Sequence, residues 1–268
     1  MNKTIQYQEK QIHYRVVGKG SPVVLLHGFG EDSTIWDSQA KFLQQKYKLI
    51  IPDLPGSGQS ALLAETNMET MAEVVNAIIE KEIHKAEKIK LIGHNMGGYI
   101  ILAFMEKYDE LVDGFGLFHS TAFADSEEKK IARKKSIDFI QQHGAYEFLK
   151  TSIPNLFAAK NHENKKEEIQ KLIAQGHNFS AQALVSYYEA MITRPDRTMI
   201  LKNTKVPVLF VMGVYDNAAP VKDMLQQCYL PEKSYIHIFQ NAGHMGMLEE
   251  VEKSNRVFEN FIADNSNE

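Results

Sequence analysis

Residues 90–100, KLIGHNMGGYI, place the tightest constraint on how this chain can fold. A short apolar run leads into glycines and then into an apolar helix, which is typical of a buried strand that turns sharply into a helix. A turn of one residue forces Asn95 into strained backbone angles and raises its side chain above the sheet. Gly93 and Gly97 suit such a turn, because strand and helix pass very close to each other.

The same alternation of short apolar runs and longer amphipathic segments continues on both sides of this turn. It favours the α/β class, with a mostly parallel central sheet flanked by helices. We expect an opening hairpin within 4–18, with its turn near Glu9 and Lys10. The other predicted strands are 22–28, 48–53, 88–93, 111–120, 206–213 and 234–240. The predicted helices are one from Ser33 or Thr34 to about Gln45, 67–85, 99–108 and about 246–263.

Residues 121–200 break this pattern, because they are mostly helical, highly charged and free of strand signals. Each charged run taken alone is typical of a solvated helix face. Together the runs predict a helical insertion between two strands. We therefore expect a core formed by 1–120 and 201–268, with 121–200 as a separate helical part.

Composition limits the classes of partner that we expect. The formal net charge of −4 gives no electrostatic reason to bind nucleic acid or an anionic membrane. A single cysteine, Cys228, excludes an internal disulfide framework and fits a reducing compartment. No apolar run is long enough to span a bilayer, and the first residues lack the apolar core of a signal peptide. We expect a cytoplasmic protein of undetermined oligomeric state.

The turn at Asn95 also resembles a catalytic motif. The pattern G-x-S-x-G presents a nucleophilic serine on a strand-to-helix turn, called the nucleophile elbow. Here the corresponding residues are Gly93-His94-Asn95-Met96-Gly97, with asparagine where serine stands in the pattern. Taken alone, this motif does not distinguish an elbow from an ordinary glycine-rich turn.

Three further features favour the elbow. After the predicted strand 22–28, a turn at His27-Gly28 would direct the Phe29 N–H into a cleft, where it would join the Met96 N–H as an oxyanion hole. Alternatively, His27 only bonds to its own loop. Asp216 follows a late strand, where α/β proteins place their sites, although it would also cap a helix near 218–220. His244 precedes the last helix, where a lone histidine is more often structural.

The order of elbow, acid and histidine along the chain is that of an α/β-hydrolase triad. Over nearly its full length the chain resembles the α/β-hydrolase superfamily, on the stretches HGFGEDSTIW, DLPGSGQS, GHNMGG, GVYD and AGHMGMLE. It looks most like small carboxylesterase-type enzymes and related C–C or C–O hydrolases. The resemblance implies a helical lid at 121–200, inserted after the sixth strand.

The resemblance also implies roles for individual residues. His244 would be the general base, Asp216 would orient it, and Asn95 would stand at the nucleophile position. Phe29 and Met96 would supply the oxyanion N–H groups. Candidate contacts to a small-molecule substrate, each with ordinary packing as the alternative, are Trp36, His119, Phe148, Phe157, Tyr187 and Tyr188.

We expect neither a metal nor a cofactor. His27, His94 and His119 share strand-end positions but have no carboxylate or thiolate at the sequence spacing of a metal site. A glycine-rich phosphate loop does not follow the first strand, so a nucleotide cofactor is not expected.

Asparagine at position 95 puts the activity in question, because a carboxamide is not a nucleophile that His244 can activate. Loss of the nucleophile from a triad costs on the order of a million-fold in turnover. Asparagine tolerates positive φ, and its NH2 group can donate to His244, so we expect the site to be formed but silent.

Four accounts of Asn95 stay open. The chain is an enzyme with an engineered Ser→Asn change, a natural relative that binds without turnover, or a hydrolase with an aspartate nucleophile after deamidation. In the fourth account His244 activates water directly. Against deamidation, Met96 rather than glycine follows Asn95, and hydrolases with an aspartate nucleophile usually carry an aromatic residue there. The favoured interpretation is a serine-hydrolase scaffold with a disabled nucleophile.

Overall fold

The computed structural model of the protein describes residues 1–84 and 87–264, and its centre is an eight-stranded sheet. The sheet order is β1-β2-β4-β3-β5-β6-β7-β8. β1 pairs antiparallel with β2, and β2 antiparallel with β4, whereas all other pairs are parallel. The strands are β1 (Asn2–Tyr7), β2 (Lys10–Val17), β3 (Pro22–Leu26), β4 (Lys48–Pro52), β5 (Ile89–His94), β6 (Val112–Phe118), β7 (Val208–Gly213) and β8 (Ser234–Phe239).

Helices follow most of the parallel strands. In chain order they are α1 (Asp37–Leu43), α2 (Met68–Glu82), α3 (Met96–Tyr108), α4 (Glu127–His143), α5 (Ala145–Ser152), α6 (Lys166–Gln175), α7 (Ala181–Thr193), α8 (Thr198–Asn203), α9 (Val221–Leu225), α10 (Gly246–Glu249) and α11 (Val251–Ala263). α1 packs against α11, and α2 packs against α3. The connection from β3 to β4 crosses the sheet in one direction, and the connection from β5 to β6 crosses it in the other. Right-handed crossovers therefore place the two helix pairs on opposite faces of the sheet.

Burial on both faces explains the composition of the central strands. The apolar residues of β3 and β7 are fully buried, as expected for parallel strands covered by helices on each side. This arrangement confirms the predicted α/β class. Since the parallel strands run in the same direction, the loops after β3, β5, β6, β7 and β8 all lie at one edge of the sheet.

Between β6 and β7 the chain is helical, from α4 to α8, with short 3-10 turns between some of the helices. α4 packs against both α5 and α7. Nothing in this segment joins the sheet. Its function as a lid, and the division of the chain into core and lid, stay predictions.

Several predicted boundaries differ from the structure. The final helix, predicted as continuous over 246–263, is two helices separated at Glu250, which has non-helical angles of φ −124° and ψ 61°. The helix predicted from Ser33 or Thr34 begins as a 3-10 turn capped by Asp32, whose carboxylate accepts the Thr34 N–H, and continues as α1. The hairpin turn is at Gln8 and Glu9, which both have positive φ. The end predicted for 67–85, and the last residues of 201–268, lie outside the described residues.

None of the helices that the structure describes combines the length and the hydrophobicity needed to cross a bilayer.

Candidate active site

The turn at Asn95 has the geometry predicted for it. β5 ends at His94, α3 begins at Met96, and Asn95 lies between them with φ 49° and ψ −112°. A Cβ at Gly93 would lie 2.4 Å from the backbone of Gly97, and a Cβ at Gly97 would lie 2.5 Å from the Leu26 carbonyl oxygen. Only glycine fits either position, so the crossing of strand and helix holds Asn95 in a sparsely populated conformation that costs about 1–3 kcal/mol.

The structure brings the three predicted triad positions together. The Asn95 amide nitrogen Nδ2 lies 2.7 Å from Nε2 of His244. The opposite ring nitrogen of His244, Nδ1, lies 2.8 Å from Oδ2 of Asp216. Because an amide NH2 donates, Nε2 of His244 accepts, and Nδ1 therefore carries the proton donated to Asp216. This is the tautomer that a general base requires.

The other end of the Asn95 carboxamide faces the predicted oxyanion hole. Its Oδ1 accepts the Met96 N–H at 2.8 Å. One side chain thus bridges the base and the first N–H of α3. The oxygen of the amide takes a hydrogen bond that the hole would otherwise offer to a reacting carbonyl.

Asp216 contacts both the turn that follows it and two histidines. Its Oδ1 accepts the N–H groups of Ala218 and Ala219, each at 2.8 Å, so it caps the following turn. Its Oδ2 faces His244 and His119. Burial alone would raise the pKa of Asp216, but the adjacent His244 and His119 hold it far below its usual range.

His244 is almost fully buried. Burial opposes the charged imidazolium, but the Asp216 carboxylate outweighs this effect and raises the pKa of His244 above its usual value. The loop that carries His244 is held by Glu249, whose carboxylate accepts the N–H groups of Gly243 and Met245.

His119, a candidate substrate contact, lies against Asp216. It follows β6 and its Nδ1 donates to Asp216 at 2.9 Å, on the same oxygen that His244 contacts. Its Nε2 has no hydrogen-bond partner among the described residues and faces Gly246, where a Cβ would lie only 2.4 Å away. Burial lowers the pKa of His119 to about 4, so the ring is neutral at pH 7.

Two of the strand-end histidines have carboxylate partners in space, from residues that lie far from them along the sequence. His119 bonds Asp216, and His94 bonds Glu31 with its Nδ1 2.9 Å from the carboxylate. Ligand atoms of His119, Asp216 and His244 lie within 4.8 Å of one another, a donor set of the kind that binds metals. Both histidine Nδ1 atoms instead point at one carboxylate oxygen at hydrogen-bond distance.

The loop after β3 passes directly beside the elbow. A Cβ at Gly28 would lie 3.0 Å from the Cβ of Asn95. This proximity places the next residue, Phe29, where its N–H is expected to complete the oxyanion hole. His27 bonds its own surroundings, since its Nδ1 lies 2.9 Å from the Gly28 carbonyl and its Nε2 accepts the Leu54 N–H.

A small apolar cavity of about 70 Å³ lies between this loop and the helical segment. Phe148 and Tyr188, both predicted to line a pocket, contribute to its wall, together with Phe29, Leu149 and Met245. The Phe29 ring stacks on that of Tyr188 with centroids 4.2 Å apart. The cavity is therefore bounded on one side by the residue after Gly28 and on another by the residue after His244.

The other three aromatic candidates lie outside this cavity. Trp36 is fully buried against Phe118 of β6 and Phe258 of α11, so it belongs to the core. Phe157 is buried in the segment that packs on the loop before His244. Tyr187 is fully buried, and its hydroxyl donates to the Pro55 carbonyl at 2.6 Å and pairs with the Ser57 hydroxyl at 2.8 Å.

Residues 21–251 match the α/β-hydrolase fold family. The chain belongs to this family. It is also 26% identical over 269 residues to the 2-hydroxy-6-oxo-6-phenylhexa-2,4-dienoate hydrolase of Comamonas testosteroni, across 94% of this chain and 91% of that protein. A succinate-derivative hydrolase of Acinetobacter baylyi, (E)-2-((N-methylformamido)methylene)succinate hydrolase, is 24% identical over 98% of both chains.

Solved structures share the fold of this α/β hydrolase. A thermophilic esterase from Thermogutta terrifontis superposes with a TM-score of 0.90 at 27% identity, over 98% of both chains. An esterase from Exiguobacterium antarcticum gives the same TM-score at 23% identity, over 98% of this chain and 100% of the other. The relatives are hydrolases, and this chain is a hydrolase by family. The catalytic functions of its individual residues stay predictions.

Proposed function

We propose that this chain carries an esterase-type site for a small acyl substrate, complete except for its nucleophile. The observation that carries the proposal is the 2.7 Å contact between Asn95 Nδ2 and His244 Nε2. A serine in place of Asn95 would direct its hydroxyl toward the same nitrogen. His244 is already the tautomer in which Nε2 carries no proton and can accept one. The base, the acid and the Met96 N–H are then arranged for acyl transfer.

The same contacts support the expectation that the unaltered chain is inactive. Asn95 offers no proton whose removal creates a nucleophile, and its Oδ1 occupies the Met96 N–H. The unaltered chain is therefore expected to hydrolyse esters on the order of a million-fold more slowly than its serine variant.

Substrate size is inferred from the cavity. Its volume of about 70 Å³ is far below the 300–1,000 Å³ of sites for drug-sized ligands. A short acyl group is the substrate part that fits, and the helices of 121–200 would act as the lid that closes over it.

The experiment is to restore the nucleophile. The Asn95→Ser variant is expected to hydrolyse p-nitrophenyl acetate with saturable kinetics, whereas the unaltered chain and an Asn95→Ala control show only the background rate. The alanine variant is the matched control, because it removes the carboxamide without adding a hydroxyl. If Asn95→Ser folds normally and hydrolyses no ester of a broad panel, the esterase proposal is wrong.

A second candidate function is ligand binding without turnover. It is favoured by the two hydrogen bonds of the Asn95 carboxamide, which donates to His244 and accepts the Met96 N–H. These bonds stabilise the site without a nucleophile. In that case the unaltered chain gains thermal stability with one specific small molecule and shows no product. The aspartate account predicts an intact mass one dalton above the sequence value, located at residue 95, and the absence of that mass removes it.

A further inference from the structure

A second buried pair, Glu31 and His94, lies next to Asn95 and His244. His94 is the last residue of β5 and its side chain is fully buried. Its Nδ1 lies 2.9 Å from the Glu31 carboxylate, and its Nε2 lies 3.0 Å from the backbone carbonyl of His244. One ring therefore joins the elbow to the loop of the base.

The hydrogen-bond partners of His94 lie on opposite sides of its ring. A backbone carbonyl can only accept, so Nε2 of His94 donates to the carbonyl of His244, and Nδ1 faces the Glu31 carboxylate. Burial alone would raise the pKa of Glu31, but the adjacent His94 and the Gly28 N–H lower it below its usual range.

The same carboxylate also holds the loop after β3. Glu31 Oε2 accepts the Gly28 N–H at 2.7 Å. Gly28 immediately precedes Phe29, and His94 immediately precedes Asn95. Through two side chains, the pair thus fixes the loop of Phe29, the elbow and the backbone of His244 relative to one another.

Other charged or titratable groups surround the pair. The rings of His244 and His119 lie with centroids 4.7 Å and 6.1 Å from that of His94, and Asp216 bonds both of those histidines. His27 also contributes to lowering the pKa of Glu31. In this buried cluster, removing either Glu31 or His94 would leave the other side chain without its partner, which would be strongly unfavourable.

We infer that Glu31 and His94 are positioning residues, which set the placement of the Phe29 N–H, the side chain of residue 95 and His244 for reaction. This inference rests on the proposed function. Neither residue stands at the position of the nucleophile or of the base, and Glu31 also borders the cavity described above. Catalysis is sensitive to such placement, because a displacement of about 1 Å can cost about 100-fold in rate.

The kinetic test uses Glu31→Gln in the Asn95→Ser background. Glutamine has one accepting oxygen for the Gly28 N–H and His94, and its NH2 group would face one of these two partners. The carboxylate would then no longer hold both the loop after β3 and the elbow. We expect kcat to fall about 10- to 100-fold with KM within threefold of the parent. Glu31→Asp keeps the charge but is one methylene shorter, and it is expected to retain more of kcat than Glu31→Gln.

Glu82→Gln is the matched control. The Glu82 side chain is 6% exposed against 5% for Glu31, and it is likewise paired, with Lys3 and the Tyr14 hydroxyl. It lies at the end of α2, away from the site. We expect Glu82→Gln to lower stability and leave kcat unchanged. If Glu31→Gln keeps kcat within twofold of the parent, or if both variants lose it equally, the inference is overturned. If Glu31→Gln does not fold, Glu31→Asp is judged by the same criteria.

A second measurement separates this inference from the proposed function. In the unaltered chain with ¹⁵N-labelled histidine, the Nδ1–H resonance of His244 reports its hydrogen bond to Asp216. Glu31→Gln is expected to shift this resonance, and Glu82→Gln to leave it in place. If Asn95→Ser hydrolyses no ester, the proposed function fails, and the resonance measurement alone then tests the positioning inference. An unmoved resonance in Glu31→Gln overturns the positioning inference.

Discussion

At the scale of the residue, Asp216 and His244 illustrate how burial and charge compete. Both side chains are buried, which by itself disfavours charge on either. Their contact at 2.8 Å reverses that effect, lowering the pKa of the acid and raising the pKa of the base. The bond from His119 to the same carboxylate oxygen adds to the stabilisation of the anion.

This balance sets the pH dependence of the serine variant. A general base must be neutral, so the activity of Asn95→Ser should rise with pH as His244 loses its proton. Because the pKa of His244 is raised above 6.5, the midpoint of kcat/KM is expected above pH 6.5. The measurement is kcat/KM for p-nitrophenyl acetate from pH 5.5 to 9, with Asn95→Ala as the blank for spontaneous hydrolysis. A midpoint clearly below pH 6.5 would contradict the pairing of His244 with Asp216.

At the scale of the element, α7 is attached to the loop after β4 by one hydroxyl group. Tyr187 is fully buried and bonds both Pro55 and Ser57. Asp125, before α4, adds an ion pair with Arg194 at the end of α7. These polar contacts fix α7 where its neighbour Tyr188 stacks on Phe29.

Removing the Tyr187 hydroxyl should loosen this attachment. Tyr187→Phe leaves a buried carbonyl and a buried hydroxyl without their partner, and we expect it to lower the free energy of unfolding by about 1–3 kcal/mol. Urea denaturation followed by circular dichroism measures the change. Tyr229→Phe is the control, since Tyr229 is 79% exposed and its substitution should have little effect. Equal stability of the two variants would show that the hydroxyl does not hold α7.

Leu149 of α5 forms part of the wall of the cavity. Leu149→Ala in the Asn95→Ser background is expected to shift the preference from acetyl toward butyryl and hexanoyl esters, since truncation enlarges the space for the acyl group. Comparing kcat/KM across p-nitrophenyl esters of increasing length tests this. Leu184→Ala is the matched control, because Leu184 is equally buried but does not line the cavity. An unchanged chain-length profile would place the acyl group elsewhere.

At the scale of the molecule, local sequence pattern predicts the sheet and the turn at Asn95 well. Continuous apolar runs mark β3 and β7, a largely apolar run interrupted by Lys90 marks β5, and the glycines at 93 and 97 follow from the close crossing of strand and helix. The order of Asn95, Asp216 and His244 predicts that they converge, because loops after parallel strands share one edge. The structure brings all three together.

Contacts between distant loops are beyond such patterns. Glu31 and His94 are 63 residues apart, and His119 and Asp216 are 97 apart, so no local spacing indicates either pair. Trp36 shows the same limit in the other direction. Its position after the Phe29 loop is compatible with a pocket residue and with a buried structural residue, and the side chain packs in the core against Phe118. Which way a side chain points on a loop or short helix depends on packing that only the whole fold defines.

The central claim is that the site lacks only its nucleophile, and covalent labelling tests it most directly. The Asn95→Ser variant is incubated with a fluorophosphonate probe, and the modified residue is located by mass spectrometry. The account predicts stoichiometric labelling at residue 95, which is absent from the unaltered chain and from Asn95→Ser combined with His244→Ala. A folded Asn95→Ser protein that takes up no label, or takes it up equally without His244, would contradict the account.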